Sequence, residues 1–196
     1  MKKFLVIAAA IISFSSVNAQ VAYVGFQSVT ATGKATTGNV TVTEKNNNSG
    51  FFVGGAMNFE IADALGIQPA LEFSYAGRTE KDILNNEIKH SAMGVKIPID
   101  VNYGFELADG FKLAAYAGPS IYFGISNQAK SENVTVDNYE NTYSRFGLGL
   151  GFGAWCDIQD MLRVKIGYDL GLLNRDTRDN MSYKESGLLI SVGYIF

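Results

Sequence analysis

Apolar and polar residues alternate strictly along most of the chain after residue 20. From Leu162 to Leu172 every second residue is apolar, and the residues between them are charged or glycine. A period of two is typical of a β-strand whose two faces meet different surroundings, and a helix of period 3.6 does not produce it. The alternation recurs in seven further segments, least clearly in the first. The sequence therefore predicts eight strands, at residues 21–30, 51–60, 67–76, 93–105, 111–126, 146–155, 162–172 and 188–196.

One of these segments, FGLGLGFGAW at 146–155, has glycine at every second position from Gly147 to Gly153. A dinucleotide-binding loop needs the spacing G-x-G-x-x-G between a strand and a helix. The spacing here is instead that of a strand with one apolar face and one nearly bare face. We therefore interpret the segment as a strand that leaves room for large side chains from its neighbours.

The connections between the predicted strands come in two sizes. Three are short, at residues 61–65, 107–110 and 157–161. Four are long and polar, at Gly33–Ser49, Arg78–Lys89, Asn127–Thr142 and Asn174–Lys184. Long and short connections alternate, so all the long loops lie at one end of an up-and-down antiparallel meander. Short turns on one side and long loops on the other are typical of outer-membrane barrels, with both termini in the periplasm.

The N-terminal segment, residues 1–19, has the layout of a secretory signal peptide. Lys2 and Lys3 precede an apolar run, and small residues follow it before Gln20. The segment is too short for a membrane-spanning helix, and we expect cleavage between Ala19 and Gln20. Residues 20–196 then form one barrel domain, exported across the inner membrane of a Gram-negative envelope.

Composition excludes several classes of function. The formal net charge of the chain is −3, which gives no basic surface for nucleic acid. Cys156 is the single cysteine and His90 the single histidine, so an internal disulfide and a His/Cys metal cage are both excluded. We expect no cofactor, no metal and no nucleic-acid partner.

The residue types on the two strand faces indicate which face points into the barrel and which points outward. Exposed to water, the glycine faces would leave much bare backbone, whereas turned inward they make room in a narrow lumen. We therefore place the apolar faces in lipid and the charges inside, which predicts an all-β, eight-stranded antiparallel up-and-down transmembrane β-barrel. Buried charges persist when they are paired, so the near-neutral set of candidate lumen charges predicts a salt-bridged, closed lumen. These residues are Glu60, Glu72, Lys96, Asp100, Lys112, Arg145, Arg163, Lys165 and Asp169.

The segments GIQPALEFSYAG, MGVKIPIDVNYGF, FKLAAYAGPSIYFG, FGLGLGFGAWCDI, LRVKIGYDLGLLN and GLLISVGYIF resemble, in order, the strands of the outer-membrane β-barrel domain family that includes PorT-like proteins. The resemblance covers the whole chain after residue 19 and implies a barrel of OmpX size with a porin-like fold. PorT-like members are tied to protein secretion, but the family has no shared catalytic motif to transfer. The ending GYIF, with Tyr194 and Phe196 at period two, resembles the terminal strand that barrel assembly machinery recognises.

Candidate chemistry outside the lumen is sparse. His90 lies beside Ser91 and near Glu87, which permits a hydrolase triad, but polar neighbours of a loop histidine are the commoner case. Asp157 and Asp160 near a short turn are interpreted as turn formers before a cation site. The loop charges Lys130, Glu132, Arg175, Asp176, Arg178 and Asp179 are interpreted as solvated. Pro98 lacks a ladder donor, and we expect a bulge there.

The sequence thus predicts a non-enzymatic integral outer-membrane barrel that displays four loops in an envelope-structural, partner-binding or secretion-accessory role. Its expected partners are outer-membrane lipids and lipopolysaccharide, the barrel assembly machinery, and envelope or secretion proteins. One alternative is a small-solute channel or ligand-binding barrel, in which the lumen charges form a site. A third reading is a lipid-modifying enzyme, for which His90 is the single candidate.

Overall fold

A computed structural model describes residues 20–81, 85–131 and 134–196. The predicted signal segment, including Ala19, lies outside the described residues, and Gln20 opens the first strand. The strands are β1 (Gln20–Thr37), β2 (Val40–Met57), β3 (Phe59–Ala62), β4 (Leu65–Lys81), β5 (Glu87–Ala108), β6 (Phe111–Lys130), β7 (Thr135–Asp137), β8 (Phe146–Ile158), β9 (Leu162–Gly171) and β10 (Met181–Ile195), with one helical turn, α1 (Asn138–Asn141). No helix within the described ranges has the length and apolar character needed to cross a membrane.

The strands form a closed antiparallel ring in the order β1, β2, β4, β5, β6, β8, β9, β10. The ring closes where β10 pairs with β9 on one side and with β1 on the other. The short β3 continues β2 beyond Asn58 and pairs with β4, and β7 pairs with the end of β6. The predicted eight-stranded up-and-down barrel is therefore confirmed.

The three short connections predicted from the sequence lie together at one end of the barrel. At one end, tight turns at residues 63–64, 109–110 and 159–161 join consecutive strands. Positive φ angles at Ala64 (69°) and Gly110 (75°) allow the chain to reverse within so few residues. Residues 20 and 196 lie at this end as well, which we call the short-turn end. The opposite end is called the hairpin end.

Strands extend into all four long segments, which corrects the prediction most strongly for Gly33–Ser49, whereas residues 174–180 form a loop as predicted. β1 and β2 stay paired from Ser28 and Ser49 to Thr37 and Val40, so Gly33–Ser49 is a ladder with a two-residue turn. Likewise β4 runs to Lys81, β5 starts at Glu87, β6 runs to Lys130 and β10 starts at Met181. Polar composition does not exclude strands here because both faces of a ladder beyond the membrane meet water.

Pro98 does not cause the expected bulge. The β4–β5 ladder loses its pairs next to Pro98 but resumes at Lys96 and Glu72 in the same register. Register shifts in β5–β6 occur instead between Met93 and Gly94 and between Glu106 and Ala108. The missing N–H of proline is accommodated by a local gap in the ladder and not by an inserted residue.

The apolar rows face outward and the glycine and charge rows face the lumen. Exposed outer side chains include Val24, Ile97, Val101, Phe123, Leu150, Ile166, Leu170, Ile190 and Val192. Glu72 and Asp100 are instead only 4% and 2% exposed. A soluble barrel would show the opposite arrangement, so this burial pattern is that of a barrel that spans lipid. Cys156 lies on the outer apolar face, opposite Leu113 of β6, and is half-buried.

Candidate functional site

Two strands on opposite sides of the lumen carry the same short pattern, a lysine followed four residues later by an aspartate. On β5 these are Lys96 and Asp100, and on β9 they are Lys165 and Asp169. The strands run antiparallel, so each lysine faces the aspartate of the other strand. Lys96 Nζ donates to Asp169 Oδ2 at 2.6 Å, and Lys165 Nζ donates to Asp100 Oδ2 at 3.1 Å. Two reciprocal ion pairs therefore cross the lumen.

Glu72 of β4 extends this arrangement to a third strand. It lies directly opposite Lys96 in the β4–β5 register, and its Oε2 lies 2.7 Å from Lys96 Nζ. Its other oxygen accepts a hydrogen bond from the Tyr23 hydroxyl at 2.9 Å. Lys96 thus sits between two carboxylates, Glu72 and Asp169. Pairing and hydrogen bonding of this kind are what buried charges need in order to remain ionised.

Aromatic rings fill the lumen beside these charges. Tyr116 and Trp155 stack with centroids 5.3 Å apart, and Lys165 Nζ lies 4.0 Å from the centre of the Tyr116 ring. A Cβ atom at Gly153 or Gly167 would come within 3.0 Å of the Tyr116 side chain. The glycines therefore make room for a ring from the neighbouring strand. We call Lys96, Asp100, Tyr116, Lys165 and Asp169 the waist of the barrel.

A further ion pair lies along the wall between β8 and β9, nearer to the short-turn end. Arg163 of β9 donates to both carboxylate oxygens of Asp157 on β8, at 2.6 and 2.7 Å. Its guanidinium lies 4.5 Å from the centre of the Trp155 ring. Asp157 was interpreted as a turn former, but it is buried and bonded to Arg163. The alternation along β8 indicates this position, since Gly153, Trp155 and Asp157 share one face of the strand.

Three of the nine predicted lumen charges lie outside the waist and its neighbours. Glu60 and Lys112 meet at 3.9 Å on the short-turn rim, where their side chains are 76% and 43% exposed. Glu60 faces water because β3 ends the barrel wall at this point. Arg145 lies just before β8 at the other end, where it donates to the carbonyl oxygens of Gly124 and Ile125 at 3.3 and 2.7 Å. Glu60 and Lys112 therefore lie at the short-turn rim and Arg145 at the hairpin end, away from the ion pairs of the waist.

At the hairpin end the segment between β9 and β10 folds into the barrel. Arg175 of this segment was interpreted as a solvated charge, yet it is 5% exposed. It donates to Glu185 at 2.5 Å, to the Tyr139 hydroxyl at 2.9 Å and to the Ser144 carbonyl at 3.2 Å. Its pairing could not be predicted because its partners come from the preceding loop and from β10. Arg178 and Asp176 pair with each other at 2.8 Å nearby.

The side chain of His90 contacts neither Ser91 nor Glu87, the other two members of the candidate triad. Its Nε2 lies 2.7 Å from Glu80 Oε1, and Arg78 Nη2 lies 3.0 Å from Glu80 Oε2. Ser91 follows His90 within β5, so the two side chains point to opposite faces of the strand. Glu87 pairs with Lys89 at 3.6 Å. The His–Ser–Glu constellation is therefore not assembled.

Cavities differ sharply in size along the lumen. At the waist a space of about 10 Å³ remains between Phe52, Asp100, Tyr116 and Lys165. Above it a cavity of about 120 Å³ extends from Glu72 and Lys96 to Arg175. A second cavity of about 220 Å³ opens at the hairpin end. It is lined by Asn46, Arg78, His90, Asn127, Tyr143 and Tyr183, which we call the mouth.

Charges at the mouth hold several groups in defined protonation states. Partial burial opposes ionisation of Glu80, yet the hydrogen bond from His90 and the charge of Arg78 leave the pKa of Glu80 below its usual value. Burial, reinforced by the Glu185 carboxylate, raises the pKa of Tyr183 above its usual value. Hydrogen bonds from Arg178 lower the pKa of Asp176. The carboxylates therefore stay ionised and the Tyr183 hydroxyl keeps its proton at neutral pH.

Two further predictions concern single features of the chain. Within the described part of the chain, no group of three or more His, Cys, Asp or Glu side chains is placed to hold a metal ion. Tyr194 and Phe196 lie on the outer face in edge-to-face contact, with ring centres 5.1 Å apart. Their role in assembly stays a prediction.

Comparisons with known proteins agree with this geometry. A family profile described as outer membrane protein beta-barrel domain matches residues 6–196. No curated protein matches the chain significantly in sequence. Among solved structures, OprG from Pseudomonas aeruginosa is 12% identical with a TM-score of 0.49, covering 92% of this chain and 96% of OprG.

Two other solved structures are similar in the same way. Neisserial surface protein A is 15% identical with a TM-score of 0.47, covering 89% of this chain and 97% of that protein. Ail of Yersinia pestis, solved with a heparin analogue, is 12% identical with a TM-score of 0.45, covering 92% of this chain and all of that one. Identities this low concern architecture and say nothing about function.

Proposed function

Because the chain belongs to the outer membrane protein beta-barrel domain family, we propose that it is a non-enzymatic, non-conducting barrel that presents its hairpins to partners outside the cell. In this proposal the short turns and both termini face the periplasm, and the hairpin end faces outward. The role is envelope-structural, partner-binding or secretion-accessory. Lipopolysaccharide and outer-membrane lipids surround the apolar belt, and assembly machinery inserts the barrel.

The observation that carries the proposal is the pair of reciprocal ion pairs across the waist. Lys96 with Asp169 and Lys165 with Asp100 join opposite walls of the lumen. The space left beside them, about 10 Å³, is close to the minimum that a single water molecule needs. A hydrated ion cannot pass without separating these pairs. Such a waist supports a barrel that works through its surface and not through a pore.

The hairpins supply the surface that the proposal needs. Above Ser28 on β1 and Ser49 on β2, the outer face changes from apolar to polar side chains such as Thr30 and Asn47. The two strands remain paired up to their turn, and β1 is also paired with β10 as far as Ala35 and Met181. The backbone is thus ordered by ladder hydrogen bonds outside the membrane, which favours a preformed contact surface.

Conductance of the protein in planar lipid bilayers tests the closed waist. The refolded wild-type barrel should give no stable single-channel steps. A variant with alanine at Lys96, Asp100, Lys165 and Asp169 removes both cross-lumen ion pairs without changing the net charge. It should conduct, which shows that the assay detects an open barrel of this size. Stable steps from the wild type would overturn the proposal and favour a small-solute channel.

A ligand-binding barrel is the second candidate function, and the cavities above the waist favour it. Their volumes, about 120 and 220 Å³, hold several water molecules or a small solute. Binding there does not require conduction, so the two candidates are separable by experiment. A channel needs current, whereas a ligand site needs saturable binding with a silent bilayer.

The enzymatic reading depends on His90 alone. His90 is engaged by Glu80, and Ser91 points to the other face of β5. We therefore expect that His90→Ala leaves the lipid A and phospholipid composition of the envelope unchanged, as measured by mass spectrometry. If the wild-type protein altered lipid A or phospholipid and the His90→Ala variant did not, a non-enzymatic role would be contradicted.

A further inference from the structure

We propose that the mouth of the barrel binds a neutral saccharide that arrives from outside the cell. The site is the cavity of about 220 Å³ at the hairpin end. It continues into the cavity of about 120 Å³ above the waist, since both are lined by Asn48, Ala76, Ala92 and Glu185. The inference rests on the second candidate function, a ligand-binding barrel, and names its ligand class. It does not depend on whether the waist conducts.

Most charged groups of the mouth are neutralised by one another, and Glu44, which also lines the cavity, is exposed to solvent and accepts a hydrogen bond from Asn46. Arg78 and His90 both contact Glu80, at 3.0 and 2.7 Å. Glu185 is bonded to Arg175 at 2.5 Å and accepts a hydrogen bond from the Tyr183 hydroxyl at 2.7 Å. An anionic ligand would have to break one of these pairs to gain a cation, which would leave a carboxylate unpaired in a partly buried site. A cationic ligand meets one carboxylate outside these pairs, Glu44, and that group is exposed to solvent. The mouth therefore favours an uncharged ligand.

Amide groups provide the hydrogen-bonding capacity that such a ligand needs. Asn46 donates to Glu44 at 2.8 Å, and Asn138 donates to Asn127 at 3.0 Å. Each amide has two donor hydrogens and two acceptor lone pairs, so one bond leaves most of its capacity for a ligand. The buried Oδ1 of Asn48, at the junction of the two cavities, has no partner among the described residues. Hydroxyl groups, which both donate and accept, match this mixture.

Two tyrosines add an apolar surface of the right kind. The rings of Tyr143 and Tyr183 stack with centroids 4.3 Å apart and an interplanar angle of 30°. Both tyrosines line the cavity, so a ligand meets aromatic side chains beside the amides. The C–H face of a sugar ring packs against such a surface while its hydroxyls reach the polar groups, and tyrosine combines both properties in one side chain. Amides and aromatic rings together point to a saccharide.

Gly33 offers a way to fill the cavity without disturbing the fold. It lines the mouth, and a Cβ atom there would have no neighbour within 4 Å. A Gly33→Trp variant should therefore fold while it occupies the space of the ligand. Lys34→Trp is the matched control, because the next residue of β1 points to the outer face. A heat-modifiability gel checks that both variants form barrels.

Binding is measured on the full chain purified from membranes in a sugar-free amine-oxide detergent. Methyl glucoside, N-acetylglucosamine and lactose are titrated by isothermal calorimetry and saturation-transfer NMR. At least one of them should bind saturably, and Gly33→Trp should weaken that binding about tenfold or more, which corresponds to about 1.4 kcal/mol. Lys34→Trp should leave the dissociation constant within about twofold of wild type.

Asparagine variants test the amide contacts separately. Asn46→Ala, on the lumen face of β2, should weaken sugar binding about fivefold. Asn47→Ala removes the same group from the outer face, where Asn47 accepts a hydrogen bond from Thr30, and should not change binding. The proposal is overturned if no sugar binds saturably, or if Gly33→Trp and Lys34→Trp bind alike. If free glycine or a sulfated sugar bound more tightly than the three neutral sugars, the ligand would not be a neutral saccharide. None of these results depends on conductance, which tests the closed waist.

Discussion

The waist and the mouth of the lumen share strands β4, β5 and β6 but are filled differently. At the waist, side chains from β4, β5, β6 and β9 leave a space of about 10 Å³. At the mouth, side chains from β1, β2, β4, β5, β6 and β10 leave about 220 Å³. The ion pairs of the waist join opposite walls, whereas those of the mouth, such as Arg78 with Glu80, join residues of one wall. Charges that cross the lumen close it, and charges paired along a wall leave it open.

The largest expected difference in the free energy of unfolding is between removing one member of a buried ion pair and removing one member of an exposed pair. Arg163→Met leaves Asp157 buried without its partner and should lower the free energy of unfolding by about 3 kcal/mol. Lys112→Met at the short-turn rim removes an exposed contact of 3.9 Å with Glu60 and should cost less than about 1 kcal/mol. Urea unfolding in lipid vesicles measures both. Equal losses would show that burial in the lumen does not matter.

Space can be compared directly by placing leucine at a glycine in each region. At Gly153 a Cβ atom would come within 3.0 Å of the Ile166 carbonyl oxygen and of Tyr116. Gly153→Leu should therefore destabilise the barrel by about 1 to 3 kcal/mol. Gly33→Leu at the mouth meets open space, so it should stay within about 0.5 kcal/mol of wild type. The same unfolding measurement applies, and a stable Gly153→Leu variant would contradict a tightly filled waist.

Arg175 connects the two regions, since it holds the segment between β9 and β10 inside the barrel. Arg175→Met leaves Glu185 without its cation and should cost about 1 to 2 kcal/mol, mostly as local opening. Hydrogen exchange of residues 172–180 should become faster, whereas exchange at the waist should not change. Lys184→Met, on the exposed outer face of β10, is the control. Faster exchange throughout the barrel would show that the mouth and the waist open together.

The smallest effect concerns pH at the mouth. Hydrogen bonds from Arg178 lower the folded-state pKa of Asp176. Their contribution is therefore fully present above the unfolded value of about 3.9 and is lost as the pH falls through the lower folded value. Because Arg178 is largely exposed, the contribution should be below about 1 kcal/mol. Limited proteolysis of residues 172–180 between pH 6 and pH 2, compared with Asp176→Asn, measures it. An equal pH response in the variant would exclude Asp176 as the cause.

The barrel could be predicted from sequence because its determinants are local and periodic. Alternation at Leu162–Leu172 fixes which face meets lipid, and a glycine row such as Gly147–Gly153 fixes which face must accept neighbouring rings. The short turns were equally clear. The hairpins were not, because a polar ladder outside the membrane has the composition of a loop. Asp157 is close to a turn and also in phase with the lumen-facing Trp155, so its position in sequence agrees with either role and only its contact with Arg163 decides between them.

By itself, the sequence determined the period, the two faces and the alternation of short and long connections, since each of these is encoded in neighbouring residues. Only the tertiary structure decided which charges meet. Lys96 and Asp169 are far apart in the chain, and the ring closure and strand register bring them within 2.6 Å. Arg175 was buried by contacts from β10 and from the preceding loop for the same reason. Which charges pair across the lumen depends on the stagger between strands that are not neighbours in the sheet, and the sequence of a single strand does not encode that stagger.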